Sequence, residues 1–301
     1  MTSGILNINK PAGMTSFAVV SLVRRLTGIR RVGHAGTLDP IADGVLPICL
    51  GQATRVVEYL VGSPKAYYAT IRLGASTDTY DSEGTITATG DASGVTRTQV
   101  EAALREFVGE INQLPPMYSA LKFEGQPLYR YARAGKEAPR QARTVSVYSL
   151  SLRKFEPPLL EAEMEAGRGT YVRSLAHDLG ERLGCHAHLE RLTRLRSGPF
   201  ALAGAIGPDT LEEAVQAGSW QDFLHAPDTV LESWNAALLA EGHTRELCQG
   251  QTLLLEPARQ EQAEPAPDSL CRAYSLEGDF LGVLQYLGGG YWRPEKVFAS
   301  P

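Results

Sequence analysis

One carboxylate in the stretch GHAGTLDPIADGVLPICLGQATR, residues 33–55, is out of keeping with its surroundings. Asp39 lies between Leu38 and Pro40 in a run of glycines, small residues and apolar ones. A surface turn would gather more polar groups there, and a core strand would carry no charge. Proline pushes the residue before it out of the helical region, so Asp39 has a restricted, extended backbone and a pre-aimed side chain. Gly33, Gly36 and Gly44 permit close approach by another segment or by a ligand. A carboxylate held in such a place needs a cation or hydrogen-bond donors, or its pKa climbs and it goes neutral. Arg173 is the candidate partner: it falls in the first turn of an expected helix, where the dipole disfavours a cation and an anion should compensate it. Pairing would hold the Asp39 carboxyl below its usual range. A structural turn role for an Asp before Pro fits the spacing too, and Asp43, followed by Gly44, reads as a turn residue of that kind.

Other candidate chemistry is weaker. Cys49, Cys185, Cys248 and Cys271 are scattered with no C-x-x-C pair, which fits reduced thiols. Cys185, His186 and His188 are too close together to wrap one ion, and no second Cys/His cluster completes a zinc site. GASTDTYDSEGT lacks the order of a calcium loop. GRGTYV places Val172 where a dinucleotide fingerprint needs glycine, and no P-loop occurs. Residues 113–143 interleave Tyr118, Phe123, Tyr129 and Tyr131 with Lys122, Arg130, Arg133, Lys136, Arg140 and Arg143. Rings that stack on splayed bases beside cations that meet phosphates suit looped RNA; a helix with a tyrosine-lined inner face would look similar.

The elements that must position these residues are legible in part. Residues 4–10 read as a strand, and Thr15 or Ser16 caps a helix that Gly28 stops. Arg24, Arg25, Arg30 and Arg31 cluster at its end, where a solvated, dipole-compensating face and phosphate contact are both open. A strand is expected over 67–73, and a helix capped by Thr96 and closed by Gly109. LEAEMEA, residues 160–166, alternates strictly. Thr170 is expected to cap a helix to Leu183 with the stripe Val172, Leu175, Ala176, Leu179 and Leu183. Two amphipathic helices are expected between 208 and 239. The tail from 241 turns into short apolar runs, ending in KVFAS and broken by an E/Q/A/P-rich loop over 256–268, the pattern of a small all-β module.

At 301 residues, 43% hydrophobic and 21% charged, the chain is globular, with one large domain plus an appendage or two ordinary domains. No apolar run spans a bilayer and no signal peptide opens the chain, so a cytoplasmic, membrane-free protein is expected. The net charge of −5 belongs to the last third: residues 1–60 carry +3 and 120–200 carry +5, while 201–301 carry −10. Two basic segments are therefore available to a polyanion if the fold unites them.

Six motifs in order resemble the TruB family of tRNA pseudouridine synthases: KPAGMTS from Lys10, GHAGTLDPIADGVLPICLGQAT from Gly33, KAY from Lys65, LPPMYSALK from Leu114, GTYVRSLAHDLG from Gly169 and HLERLTRLRSG from His188. The resemblance spans most of residues 4–200. It implies an α+β fold: a catalytic domain over 1–236 with a mixed, largely antiparallel sheet flanked by helices and a tRNA-gripping insertion at 113–143, then a PUA-like all-β RNA-binding barrel over 237–301. It further implies isomerisation of the position-55 uridine in the T-arm loop of tRNA, with no cofactor, no metal, no obligatory protein partner and a monomeric enzyme. Asp39 would be the catalytic aspartate, attacking sugar or base or acting as base in a glycal route. Tyr67 would pack on the target uracil, Arg173 would pair with Asp39, and Leu192 would line the floor. His34 and Tyr171 would contact the flipped nucleotide and its loop, with Lys10, Lys122 and Arg130 as further substrate contacts.

Three other readings are open to test. A metal-dependent phosphoesterase would use Asp39, Asp43 and Asp78 and need a divalent ion. A non-catalytic RNA chaperone would bind RNA without changing it. A guide-RNA-dependent relative would share the core, but the long tyrosine-and-arginine segment at 113–143 argues for a stand-alone enzyme.

Overall fold

The computed structural model describes residues 2–255 and 264–298. Most of the expected loop at 256–268, and the last two residues of KVFAS, lie outside the described residues.

The chain opens with β1 (Gly4–Lys10), whose side chains are buried at every position but Asn9. Its weak alternation has a plain cause: Leu6 and Ile8 enter the main core, Ile5 enters a second one on the opposite face, and both faces are covered. Thr15 accepts a hydrogen bond from the Ala18 N–H to start α1 (Ser16–Thr27), and Gly28 at φ 71° closes it. There follow β2 (Val32–His34), β3 (Asp43–Leu50), α2 (Val57–Gly62) and β4 (Lys65–Leu73). A two-stranded ribbon, β5 (Ala75–Thr77) with β6 (Ile86–Thr89), brackets the loop at 78–85. Thr96 and Gln99 form a reciprocal capping box for α3 (Arg97–Glu106). The insertion runs from β7 (Gly109–Gln113) through the hairpin β8 (Lys122–Phe123) and β9 (Gln126–Pro127) to α4 (Leu128–Arg133), and returns by β10 (Arg143–Glu156). Then come β11 (Leu159–Ala166), with the strict in-out burial its sequence predicts, α5 (Val172–Leu183), β12 (Ala187–Ser197), β13 (Phe200–Ala201), α6 (Pro208–Ala217) and β14 (Leu224–His225).

The main sheet has ten strands, in the order β14-β1-β3-β12-β4-β11-β10-β7, with β2 also on β3 and β13 on β12. The β3–β12 pair is parallel; the other pairs are antiparallel. Side chains from α1, α3, α5 and α6 share one core with Leu46, Ile48, Ile71 and Met164 of the sheet. An α+β fold with a mixed, largely antiparallel sheet is what the motifs implied.

Beyond it lie β15 (Ala236–Leu239), α7 (Glu241–Cys248), β16 (Leu253–Leu254), β17 (Leu270–Ser275), β18 (Phe280–Gly288) and β19 (Tyr291–Val297). They form a curled five-stranded sheet, β15-β17-β18-β19-β16. Among the described residues its edge strands do not pair with each other, so it is a half-barrel. It packs on the main domain through Val283, which joins the core of Ile5, Val45 and Leu60, and through the Lys296–Glu58 ion pair at 2.9 Å.

Several expected elements differ: the tail is not all-β, since it contains α7, and α3 ends at Glu106 with Phe107 as its cap residue, short of Gly109, which opens β7. Only one α-helix forms between 208 and 239: Gly218, at φ 74°, ends α6, and the remainder breaks into 3-10 turns at Trp220–Phe223 and Pro227–Leu231, the second begun by a proline that cannot donate. Helix α5 starts at Val172 with Tyr171 as its cap residue, because the Thr170 hydroxyl is used on the Gly167 carbonyl instead. Gln113 supplies the missing partner, accepting from the Tyr171 N–H at 2.7 Å and donating to its carbonyl at 2.9 Å. Among the described residues no helix is long and apolar enough to cross a membrane.

Candidate active site

The loop that carries Asp39 is fastened on both sides. Ser16, at the start of α1, donates to the Leu38 carbonyl and accepts from the Leu38 N–H, while the Gly13 N–H bonds the Pro40 carbonyl at 2.7 Å. The Ala42 N–H closes a turn onto the Asp39 carbonyl. With Leu38 buried beneath it, the Asp39 side chain is left about one-third exposed and lines a cavity of about 240 Å³.

Across that cavity, β4 and β12 contribute one continuous face. Tyr67 and Arg194 are cross-strand partners, as are Ala69 and Leu192. Tyr67, Leu192, Arg194, Lys65, Tyr171 and Arg173 all line the space with Asp39. It is a small site with apolar and aromatic walls and one carboxylate, below the roughly 300–1,000 Å³ of drug-sized ligand sites.

Arg173 is buried on the first turn of α5 and serves four groups. Its Nε lies 2.9 Å from Asp39 Oδ2, its Nη1 donates to the Thr79 carbonyl at 3.0 Å and sits 3.5 Å from Asp81 Oδ2, and its Nη2 donates to the Tyr118 carbonyl at 2.7 Å. The Nε–H is not aimed along the line to Asp39, so that contact is an ion pair rather than an aligned hydrogen bond. The anion that the helix start demanded is therefore present, doubled by Asp81. One expectation is overturned: Asp39 is not held low. Burial pushes its carboxyl above the usual carboxylate range; Arg173 and Lys10 oppose the rise and Asp81 adds to it, and the loss of water outweighs the ion pair.

The remaining expected site residues divide. Lys10 is placed away from the cavity: it is fully buried, its ammonium donates to the Pro11 and Met14 carbonyls at 2.9 and 2.7 Å, and burial lowers its pKa to about 8. It holds the turn beneath the Asp39 loop and has no donor facing a ligand. His34 sits on β2 outside the cavity lining, with its pKa lowered by burial and by the nearby Arg194. Lys122 and Arg130 are exposed on the hairpin and α4, beyond the cavity. Asp43 and Asp78 do not join Asp39 in an ion site: Asp43 opens β3, Asp78 accepts from the Thr85 N–H, and among the described residues no group of three His, Cys, Asp or Glu could hold a metal ion.

Three residues of the site were missed in the sequence. Arg194 is fully buried, its Nε donating to the Val45 carbonyl at 2.6 Å and its Nη2 to that of Gly36 at 3.1 Å. A cation in phase with the inward-facing Leu192 was its available signal. Lys65 donates to the carbonyls of Leu60, Val61 and Ser63 at the end of α2, and burial lowers its pKa to about 8. Asp81 looks like any carboxylate of a polar turn until its burial is known.

The family model described as "TruB family pseudouridylate synthase (N terminal domain)" matches residues 24–172, and the "tRNA pseudouridylate synthase B C-terminal domain" matches 173–238. A protein of Dehalococcoides mccartyi named tRNA pseudouridine synthase B is 43% identical over 99% of this chain and 97% of its own. One of the same name from Pseudomonas aeruginosa is 41% identical over 99% and 96%. Among solved structures, a chain of the crystal structure of a Cbf5–Nop10–Gar1 complex superposes with a TM-score of 0.74 at 25% identity, covering 99% of this chain and 85% of that one. With identity of this order across nearly its whole length, and with the Asp39 and Arg173 motifs inside the matched segments, the chain belongs to the TruB family of pseudouridylate synthases.

Proposed function

We propose that this protein isomerises uridine to pseudouridine in tRNA, acting on the position-55 uridine of the T-arm loop. The observation that carries the reading is the pinned Asp39 carboxylate, ion-paired with Arg173 and sharing one base-sized cavity with Tyr67 and Leu192. The relatives named tRNA pseudouridine synthase B supply the substrate class.

The reaction breaks the C–N bond between ribose and uracil N1, turns the base, joins the ribose to C5, moves the C5 proton away and leaves N1 protonated, so no atom is gained or lost. A uridine in a folded loop must leave its stack first, at a cost of a few kcal/mol. Tyr67 and Tyr171 offer aromatic faces against that cost, and Leu192 and Leu38 exclude water from the bond being broken. Arg173 fixes the direction of the Asp39 carboxylate towards the ribose and base.

Two groups of exposed cations lie outside the cavity lining. Lys122, Arg130, Arg133, Lys136 and Arg143 lie on the insertion and its return strand, and Arg24, Arg25, Arg30 and Arg31 lie beside β2 without an ion-pair partner among the described residues. Together they suit a phosphate backbone passing over the site. The protein acts as a monomer in the cytoplasm, without an obligatory protein partner or metal. The test is incubation with an unmodified tRNA transcript in EDTA, followed by chemical mapping of pseudouridine. Conversion at the T-arm uridine is expected; binding without conversion would overturn the reading, and a requirement for divalent metal would return the phosphoesterase to consideration.

A further inference from the structure

Tyr80 stands in the left-handed region, at φ 64°, one of four described non-glycine residues to do so. That backbone is unfavourable for a bulky side chain and persists only where surrounding structure enforces it. Two hydrogen bonds hold the Tyr80 main chain: its N–H donates to the Thr77 carbonyl at 3.2 Å, and its carbonyl accepts from Leu189 at 3.0 Å. Its ring lies flat on the His177 imidazole, with centroids 4.0 Å apart and planes 7° from parallel.

His177 follows Arg173 by one turn of α5, so both project from the same helix face onto the same loop. The groups that Arg173 Nη1 meets belong to the two residues flanking Tyr80: the Thr79 carbonyl at 3.0 Å and the Asp81 carboxylate at 3.5 Å. Asp81 is itself fixed by the Thr79 hydroxyl at 2.5 Å and the Glu83 N–H at 3.2 Å. Helix α5 therefore grips the loop at two points a turn apart, one polar and one by stacking. The strained residue between Thr79 and Asp81 turns both partners towards one guanidinium.

We propose that Tyr80, stacked on His177, is a positioning residue for catalysis: the stack locks the 77–84 loop in the conformation that aims Arg173, and through it Asp39. Neither ring lines the cavity, so the pair acts without touching the substrate. The inference rests on the assignment of Asp39 and Arg173 above.

Tyr80→Gly in the full chain is the discriminating variant, because glycine accepts φ 64° without strain and only the stack is lost. With enzyme in excess over a tRNA transcript tritiated at uridine C5, the single-turnover rate should fall about 10- to 100-fold, the scale of a misplacement near 1 Å. Affinity for tRNA should be unchanged and Tm not lowered. His177→Ala should reproduce the loss, and Tyr80→Phe, which keeps the ring, should restore the rate to within about 3-fold of wild type, the usual scatter of a neutral change. In an Arg173→Lys background, Tyr80→Gly should cost less than about 2-fold more, because the residue it acts through is already displaced.

A wild-type rate for Tyr80→Gly, an equal loss in both backgrounds, or a rate loss explained by weaker tRNA binding would each overturn the proposal. Failure of the underlying assignment is separable: Asp39→Asn would then stay active, whereas failure of this inference alone leaves Asp39→Asn inactive and Tyr80→Gly competent.

Discussion

Arg173→Lys tests the centre of the site, because the two side chains carry the same charge and differ in reach. The guanidinium is about 5% exposed and meets Asp39, Asp81, Thr79 and Tyr118 at once. A single ammonium cannot span three segments. Each carbonyl that loses a charged donor forfeits about 1.5–3 kcal/mol. Lysine keeps one such contact in part, so the net loss should be near 3 kcal/mol by the same scale. For a domain of this size each kcal/mol lowers Tm by about 2–4 °C, so a fall of roughly 6–12 °C is expected in differential scanning fluorimetry. Asp39, no longer aimed, should react about 100-fold more slowly in single-turnover tritium release, equivalent to roughly 2.7 kcal/mol of barrier. A variant within 3-fold of the wild-type rate and 2 °C of its Tm would refute the hub as drawn. The sequence suggested a pairing with Asp39 alone; the structure adds a second ion pair, to Asp81, and two carbonyl anchors, which ties the effect to loop geometry.

Three further outcomes follow from the site. Asp39→Asn should abolish pseudouridine formation yet bind tRNA within about 3-fold of wild type, a neutral-change scatter, as filter binding will report; measurable turnover would remove the aspartate from the chemistry. Because burial raises the Asp39 pKa, the native state holds that proton more tightly than the unfolded chain, so stability falls as pH rises from about 4 through the raised native value, while activity rises over the same window. Urea midpoints and single-turnover rates against pH should show opposite slopes there, with the stability slope absent in Asp39→Asn; an acid limb at or below pH 4 contradicts the direction. Gly44→Ala should cost more than about 4 kcal/mol or prevent folding, since its Cβ would lie 2.3 Å from the Arg194 carbonyl oxygen at a φ of 100°; a folded variant with normal circular dichroism and Tm would deny the close β3–β12 contact.

How far the site could be foreseen depended on whether its information is local. Gly28 after α1, the Thr96 cap and the alternation of LEAEMEA each act within a few residues, and each appears where the sequence placed it. Pairing of Asp39 with Arg173 was legible because a cation at a helix start leaves a debt of charge. Asp81 and Lys65 could not be singled out, since the sequence does not carry burial for a lone polar residue in a turn or at a strand end. The direction of the Asp39 shift failed for the same reason: ion pairing can be guessed from partners, while desolvation depends on walls assembled from five distant segments. Thr170 misled as a cap because the competing Gln113 lies 57 positions upstream of it.

That glutamine has a mechanical consequence. Gln113 clasps Tyr171, Ser174 donates to the Leu114 carbonyl, Tyr118 takes a donor from Arg173, and Arg140 returns to the Pro115 carbonyl. Both roots of the 113–143 arm are thus bolted to the start of α5 or to each other. A load applied at the arm's tip is delivered, as by a lever on a fixed fulcrum, to the turn of helix that carries the guanidinium.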